Sequence, residues 1–324
     1  MKILMAFIHY PVSSGTFLKR ALQRAGHDVI SVGPYTHDRI WGGTVDVRYA
    51  QKPDFVTPEV HAVELSETYN VINRTRRLHR QETIDAVSLS IEEIIDNVQD
   101  KHGDDWKPYL IITSDSAFTL IGESDCPHIL NAQDNHVRDY TMREWDAIFC
   151  AHSWGHRMGE PNAYHCPPCY DPVVCVDMGL ERNIDVLMVA VLYGNRVELL
   201  NKVAESGIRV AATTGVIYDE YAQAYNQAKI SLIRSSYGDV TNRFLETAAM
   251  GCCVVADRAK DLPVMGFIDG VHYLGYDTEQ EAIEKINYAL ESDRWRDIAR
   301  AGQAVAKAHT WDARARQMLE TVKL

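Results

Sequence analysis

No stretch of the 324-residue sequence approaches the ~18 consecutive apolar residues needed to cross a bilayer, so a membrane-spanning segment is not expected. Cysteine is sparse and odd in number at seven, and a chain of this length builds its own core without cross-links. Reduced thiols in a cytoplasmic protein are the expectation. Positive charge is in deficit: 33 basic residues face 45 acidic ones for a net charge of -12, and both halves are mildly acidic. A domain that binds polyanions by overall charge is thereby excluded. A secretion signal is not expected either. The apolar run that opens the chain stops at His9 and leads into an amphipathic helix with no small-residue cleavage site. The GxGxxG and GxxxxGK[ST] phosphate loops, internal repeats and low-complexity tracts are all missing.

What is present is an ordinary globular composition, 46% hydrophobic and 24% charged, over a length that suggests two domains at roughly 100–200 residues each. A crevice between two domains is then the first place to seek a site. Ile3–Ile8 reads as a strand buried on both faces. Pro11–Thr16 is a small polar loop, Phe17, Leu18, Ala21, Leu22 and Ala25 recur at helical spacing, and Val29–Val32 is a second strand. Further short strands are predicted at Tyr109–Thr113, His128–Asn131, Ala147–Ala151, Val186–Val191, Ile208–Ala212, Ile230–Ile233 and Cys252–Ala256. Their alternation with helices predicts an α/β protein of two Rossmann-like, doubly wound parallel sheets. The stretch from Pro58 to Gly103 reads as mostly helical, and helices at about 278–291, 293–307 and 311–322 close the chain. Three prolines in the six residues Pro167–Pro172 mark a linker. The expected division is 1–170, 171–308 and a final helix, 309–324, that crosses back to the first domain.

The richest segment is Ser235–Val255. A strand ends in a small polar loop, Asp239 or Thr241 caps a helix, and Gly251 terminates it. Ligands of open α/β sheets sit at the carboxyl ends of strands, which is where this loop falls. Asn242 and Glu246 share one helix face with Arg243 beside them. Amides at a helix start and a carboxylate one turn inside suit a ligand with a diphosphate and a vicinal diol, that is, a sugar nucleotide. The plain alternative is an Arg243–Glu246 surface ion pair. Arg196, in the turn after Val186–Val191, lies on the same edge, where a guanidinium holds a diphosphate or is simply exposed. Gly15 permits close approach of an anion to the helix that follows it.

These residues resemble a family. Ser14–Phe17 with Gly26–Val29 looks like the first crossover of GT-B glycosyltransferases. Tyr170–Pro172, Asp185–Leu187, Tyr193–Arg196 and Asn242–Gly251 are similar to group 1 glycosyltransferases of the spore-maturation CgeB-like branch. The likeness runs on through Val271–Leu274, Asp293–Gly302 and His309–Trp311 with Arg314. It implies that Glu246, matching the second glutamate of an E-x7-E motif, holds the nucleotide ribose, and that Arg196 holds the donor diphosphate. Gly15 matches the loop residue near the phosphates. The first acidic position is Gly238, with Asp239 beside it. The resemblance further implies transfer with retention from a nucleoside-diphosphate sugar, a UDP-sugar, with no cofactor and no essential metal. The sequence agrees in having no Asp-x-Asp pair to bind a bridging ion.

Activation of the acceptor falls to the first domain, where Asp134 is the favoured base, with His136 and Asp115 behind it. Local turn hydrogen bonds are the bland account of all three. The acceptor is open among small molecule, glycan, protein and nucleic acid. The basic run Arg74–Arg80 is a solvated helix face or a patch for an acidic acceptor. Cys166, Cys169, Cys175, His165, His152 and His156 suggest zinc only weakly, since no second CxxC exists. Two rivals to transfer are an epimerase or hydrolase on the same scaffold and a non-catalytic nucleotide- or glycan-binding assembly protein, for which Gly238 is the argument.

Overall fold

The structure is a computed structural model. It describes residues 1–7, 9, 11–33, 39–40, 43–44, 54, 88–103, 105–114, 119–140 and 144–323. Asp115, the Arg74–Arg80 run and most of the stretch read as helical from Pro58 lie outside the described residues. The chain divides into two compact units, Met1–Cys166 with Arg314–Leu324, and Pro167–Ala313.

In the first unit β1 (Lys2–Phe7) is an apolar run whose residues from Ile3 onward are all buried, as a strand with both faces covered requires. Helix α1 (Ser14–Arg24) follows. Its N-cap Ser13 accepts a hydrogen bond from the Thr16 amide at 3.1 Å. Next come β2 (Asp28–Val32), a small antiparallel pair of β3 (Arg39–Ile40) and β4 (Gly43–Thr44), β5 (Ser88–Ser90) and α2 (Ile91–His102). β6 (Leu110–Ser114), β7 (Thr119–Ile121), β8 (His128–Ala132), β9 (Ala147–Cys150) and β10 (Ala163–His165) complete the strands among the described residues. Six of them form a parallel sheet in the order β10-β9-β8-β6-β1-β2. The strand order therefore reverses between β1 and β6.

The second unit repeats the plan. β11 (Ile184–Val189), α3 (Gly194–Glu205), β12 (Val210–Thr213), α4 (Tyr218–Asn226), β13 (Ala228–Ile233), α5 (Asn242–Ala249), β14 (Cys253–Asp257) and β15 (Leu274–Tyr276) give a parallel sheet ordered β12-β11-β13-β14-β15. Helices α6 (Glu279–Leu290) and α7 (Trp295–Ala306) follow, and α8 (Trp311–Thr321) runs across the division into the first unit. Side chains alternate across β11. Val186 and Met188 pack in one core with Leu199, Ile286 and Ile298, while Leu187 and Val189 pack in another with Tyr225, Phe244 and Leu245. Two covered faces explain why the strand reads as an unbroken apolar run rather than an alternating one. The chain is thus an α/β protein of two parallel-sheet domains. The order of the second sheet reverses between β11 and β13; the first turn of α3, just after β11, carries Arg196, and the loop after β13 carries Gly238 and Asp239.

Candidate functional site

In the second unit Arg196 stands in the first turn of α3 and is only 5% exposed. Its Nε donates to the Arg234 carbonyl at 3.0 Å and its Nη1 to the Val191 carbonyl at 2.8 Å. The guanidinium also lies 5.1 Å from the Tyr193 ring centroid. It therefore clamps the loop after β11 to the loop after β13, across the point where the strand order reverses. Burial, and then the Arg243 charge, pull its pKa below the usual arginine value. A clamp and a ligand contact respond differently to mutation. Arg196→Ala is expected to lower the unfolding free energy by about 2–3 kcal/mol, because two carbonyls lose a charged donor. Urea unfolding checks this; a residue that serves only as an anion ligand leaves stability unchanged.

The loop after β13 is tied down by its own side chains. Ser235, 5% exposed, donates its amide to Asp257 Oδ1 at 2.8 Å and its hydroxyl to Asp257 Oδ2, and that hydroxyl accepts from the Gly238 amide at 2.9 Å. Asp239 accepts from the Tyr237 amide at 3.1 Å. Gly238 has φ of 72°, a left-handed conformation that disfavours a glutamate there even though a Cβ would meet nothing within 4 Å. Backbone geometry thus accounts for glycine at the first acidic position.

Helix α5 then begins at Asn242 behind Thr241, whose side chain makes no cap bond. Among the described residues the Thr241 Oγ1 and Arg243 Nη1 atoms are buried with no hydrogen-bond partner. The start of α5 therefore offers amides without a side-chain cap and an unmatched cationic nitrogen, a pairing suited to an anion. Glu246 is one turn inside the helix. Tyr221 donates to its Oε2 at 2.6 Å. Burial pushes the Glu246 carboxyl above its usual range, against the opposing pulls of the Tyr221 hydroxyl and the Arg243 charge. Arg243 is felt by both Arg196 and Glu246, so these three do gather at one end of the sheet. Asn242 has a different role: its Oδ1 accepts the Cys169 amide at 3.4 Å and ties the proline-rich linker to α5.

In the first unit Gly15 is buried against Phe7, where a Cβ would stand 2.3 Å from the ring carbon Cγ. Its lack of a side chain makes room for that ring. Ser14 Oγ lies 3.3 Å from Ser114 Oγ, which also accepts from Asn131 Nδ2 at 2.9 Å, so the start of α1 is joined by polar side chains to the carboxyl ends of β6 and β8. The Asp134 carbonyl accepts the Val137 and Arg138 amides, and its own amide donates to the Tyr140 hydroxyl at 3.2 Å. Asn135, fully buried, donates to the His152 carbonyl at 2.8 Å and accepts the His152 amide at 2.9 Å. This pins the turn that carries Asp134 and His136 to the loop after β9. The His136 ring centroid lies 4.5 Å from that of His152 and 6.1 Å from that of Trp154.

Sequence reasoning missed Tyr221, Asn135 and Trp154. Only Tyr221 left a signal, since Tyr218, Ala222 and Tyr225 recur at helical spacing and are buried. Burial pushes the Cys166 thiol up to about 12, and the Cys252 thiol donates to the Tyr225 carbonyl at 3.1 Å, so these two behave as buried packing groups.

Residues 183–320 match a family model described as glycosyl transferase-like. A comparison with curated proteins gives no match. Among solved structures, the sucrose-phosphate synthase of Thermosynechococcus elongatus is 14% identical with a TM-score of 0.61, over 100% of this chain and 98% of that one. A glycosyltransferase of Rickettsia africae is 10% identical with a TM-score of 0.58, over 99% and 97%. Anabaena HepE, solved with UDP and glucose, is 11% identical with a TM-score of 0.57, over 100% and 99%. Residues 183–320 are thus similar to a glycosyl transferase-like family, and the two parallel-sheet units have the fold of the GT-B glycosyltransferases.

Proposed function

We propose that the protein transfers a sugar from a nucleoside-diphosphate donor, a UDP-sugar, to an acceptor hydroxyl with retention of configuration and without a metal ion. The observation that carries this reading is the start of α5, where uncapped amides and the unpartnered Arg243 Nη1 lie one turn from the Glu246 carboxylate. UDP in the Anabaena HepE structure supports the choice of nucleotide. Breaking the glycosidic bond leaves negative charge on the departing diphosphate. The α5 dipole and Arg243 stabilise that charge, and Arg196 acts by holding the two loops in place. Glu246 accepts hydrogens from the ribose hydroxyls. Asp134 is the group assigned to the acceptor proton, with His136 second.

A thermal-shift series with UDP, ADP, GDP and UDP-sugars tests the donor site. UDP at a hundredfold excess over Kd is expected to add ~2.7 kcal/mol of stability. The gain should vanish in Glu246→Ala and Arg243→Ala. No stabilisation by any nucleotide, or parental responses from both variants, would remove the basis for a donor site. Proton NMR of the anomeric signal then reports retention. UDP released without any acceptor would identify a hydrolase instead.

A further inference from the structure

Glu246 does not face the donor site unsupported. The Tyr221 hydroxyl on α4 reaches its Oε2 at 2.6 Å, the length of a charge-assisted O–H···O bond. Tyr221 is fixed in turn: its ring meets that of Tyr225 at 4.9 Å and 69°, edge to face. The Tyr225 side chain is fully buried, and its hydroxyl accepts the Val189 amide at 3.0 Å, at the end of β11. A chain of contacts therefore runs from the carboxyl end of β11 through two tyrosines to a carboxylate on α5. With one oxygen held, the direction of the other is set, as a two-point contact with vicinal hydroxyls demands.

We propose that Tyr221 is a positioning residue that fixes the Glu246 carboxylate for the vicinal diol of the donor nucleotide, an inference that rests on the donor site proposed above. The titratable and charged groups around the pair are Tyr225 on α4, Arg243 on α5 and Cys175 in the turn that follows Asp171. Of these, Arg243 is a cation that favours the ionised carboxylate, as the Tyr221 hydroxyl does. Removing that hydroxyl leaves burial less opposed, so the carboxyl should hold its proton to higher pH.

Tyr221→Phe keeps the ring and deletes the donor. In the ligand-free protein the Glu246 carboxyl, followed by carbon-13 NMR, is expected to titrate about one pH unit higher than in the parent. At neutral pH the Kd for UDP should rise about tenfold, the size expected for loss of a hydrogen bond to a charged group. In a Glu246→Gln background the same change should add nothing, because the two residues act as one unit. An unchanged titration overturns the positioning role whatever the affinity. A parental Kd in Tyr221→Phe, with weakened binding in Glu246→Gln, overturns it also. Parental UDP binding in Glu246→Gln instead sinks the donor site itself, and the diol role with it.

Discussion

Replacing Arg182 with alanine is expected to lower the unfolding free energy by about 4 kcal/mol. The residue lies before β11, yet its guanidinium donates to the backbone carbonyls of Tyr225 at 3.0 Å, of Ala228, and of Met250 at 2.6 Å. Those carbonyls belong to the ends of α4 and α5 and the start of β13. Each lies inside the fold, where water does not readily replace the lost donor, so the three costs come close to adding. Gly251 follows the end of α5 with φ of 78°, and a Cβ there would stand 2.8 Å from Arg182 Nη2. Glycine at the end of this helix thus serves both the chain reversal and the arginine. At a few degrees per kcal/mol the midpoint of thermal unfolding should fall by about 10 °C. Arg182→Lys should recover less than half of the loss, because one ammonium does not span three carbonyls. An alanine variant with the parental midpoint would show that the carbonyls find other partners.

Gly15→Ala is the second large effect, about 3 kcal/mol of destabilisation centred on the first unit. The added methyl would overlap the Phe7 ring, with ring carbons at 2.3 and 2.4 Å, and Phe7 is itself 1% exposed at the end of β1. Neither β1 nor α1 can retreat without breaking the sheet register or the Ser13 cap. Phe7→Leu in the same chain should restore part of the stability by vacating the contact. Calorimetry of the single and double variants checks this. It also separates two accounts of the glycine. If Gly15→Ala keeps parental stability and loses only affinity for UDP, close approach of a phosphate explains the residue, and packing does not.

Much of the architecture was legible because it is written within a few neighbouring positions. The apolar runs at Ile3–Ile8 and Val186–Val191 predicted strands covered on both faces, and the structure places β1 and β11 there within two residues at each end. Gly251 ends α5 in the left-handed conformation expected of a residue past a helix terminus. Where local signals were weak the reading failed. Helix α4 has Ile217 at its N-cap with no side-chain bond and opens on Tyr218 at φ of 49°, so no start signal announced it. Strands β10 and β15 are three residues each and exist through pairing with β9 and β14. The helix-face logic did place Arg243 one turn from Glu246 on α5. It could not say that Arg196 turns its guanidinium onto protein carbonyls, or that Asn242 holds the linker.

The sequence by itself determined the class of fold, two parallel-sheet α/β units, and the strand ends at which Arg196, Arg243 and Glu246 lie. Periodicity and turn chemistry suffice for this, because a strand, a helix start or a helix stop depends on burial and backbone geometry over a few residues. Only the tertiary structure decided what those side chains touch. Arg196 bonds a carbonyl 38 positions away, Tyr221 a carboxylate 25 away and Arg182 a carbonyl 68 away. Contacts at such separations follow from strand order and the packing of helices on two faces, and no local pattern records them.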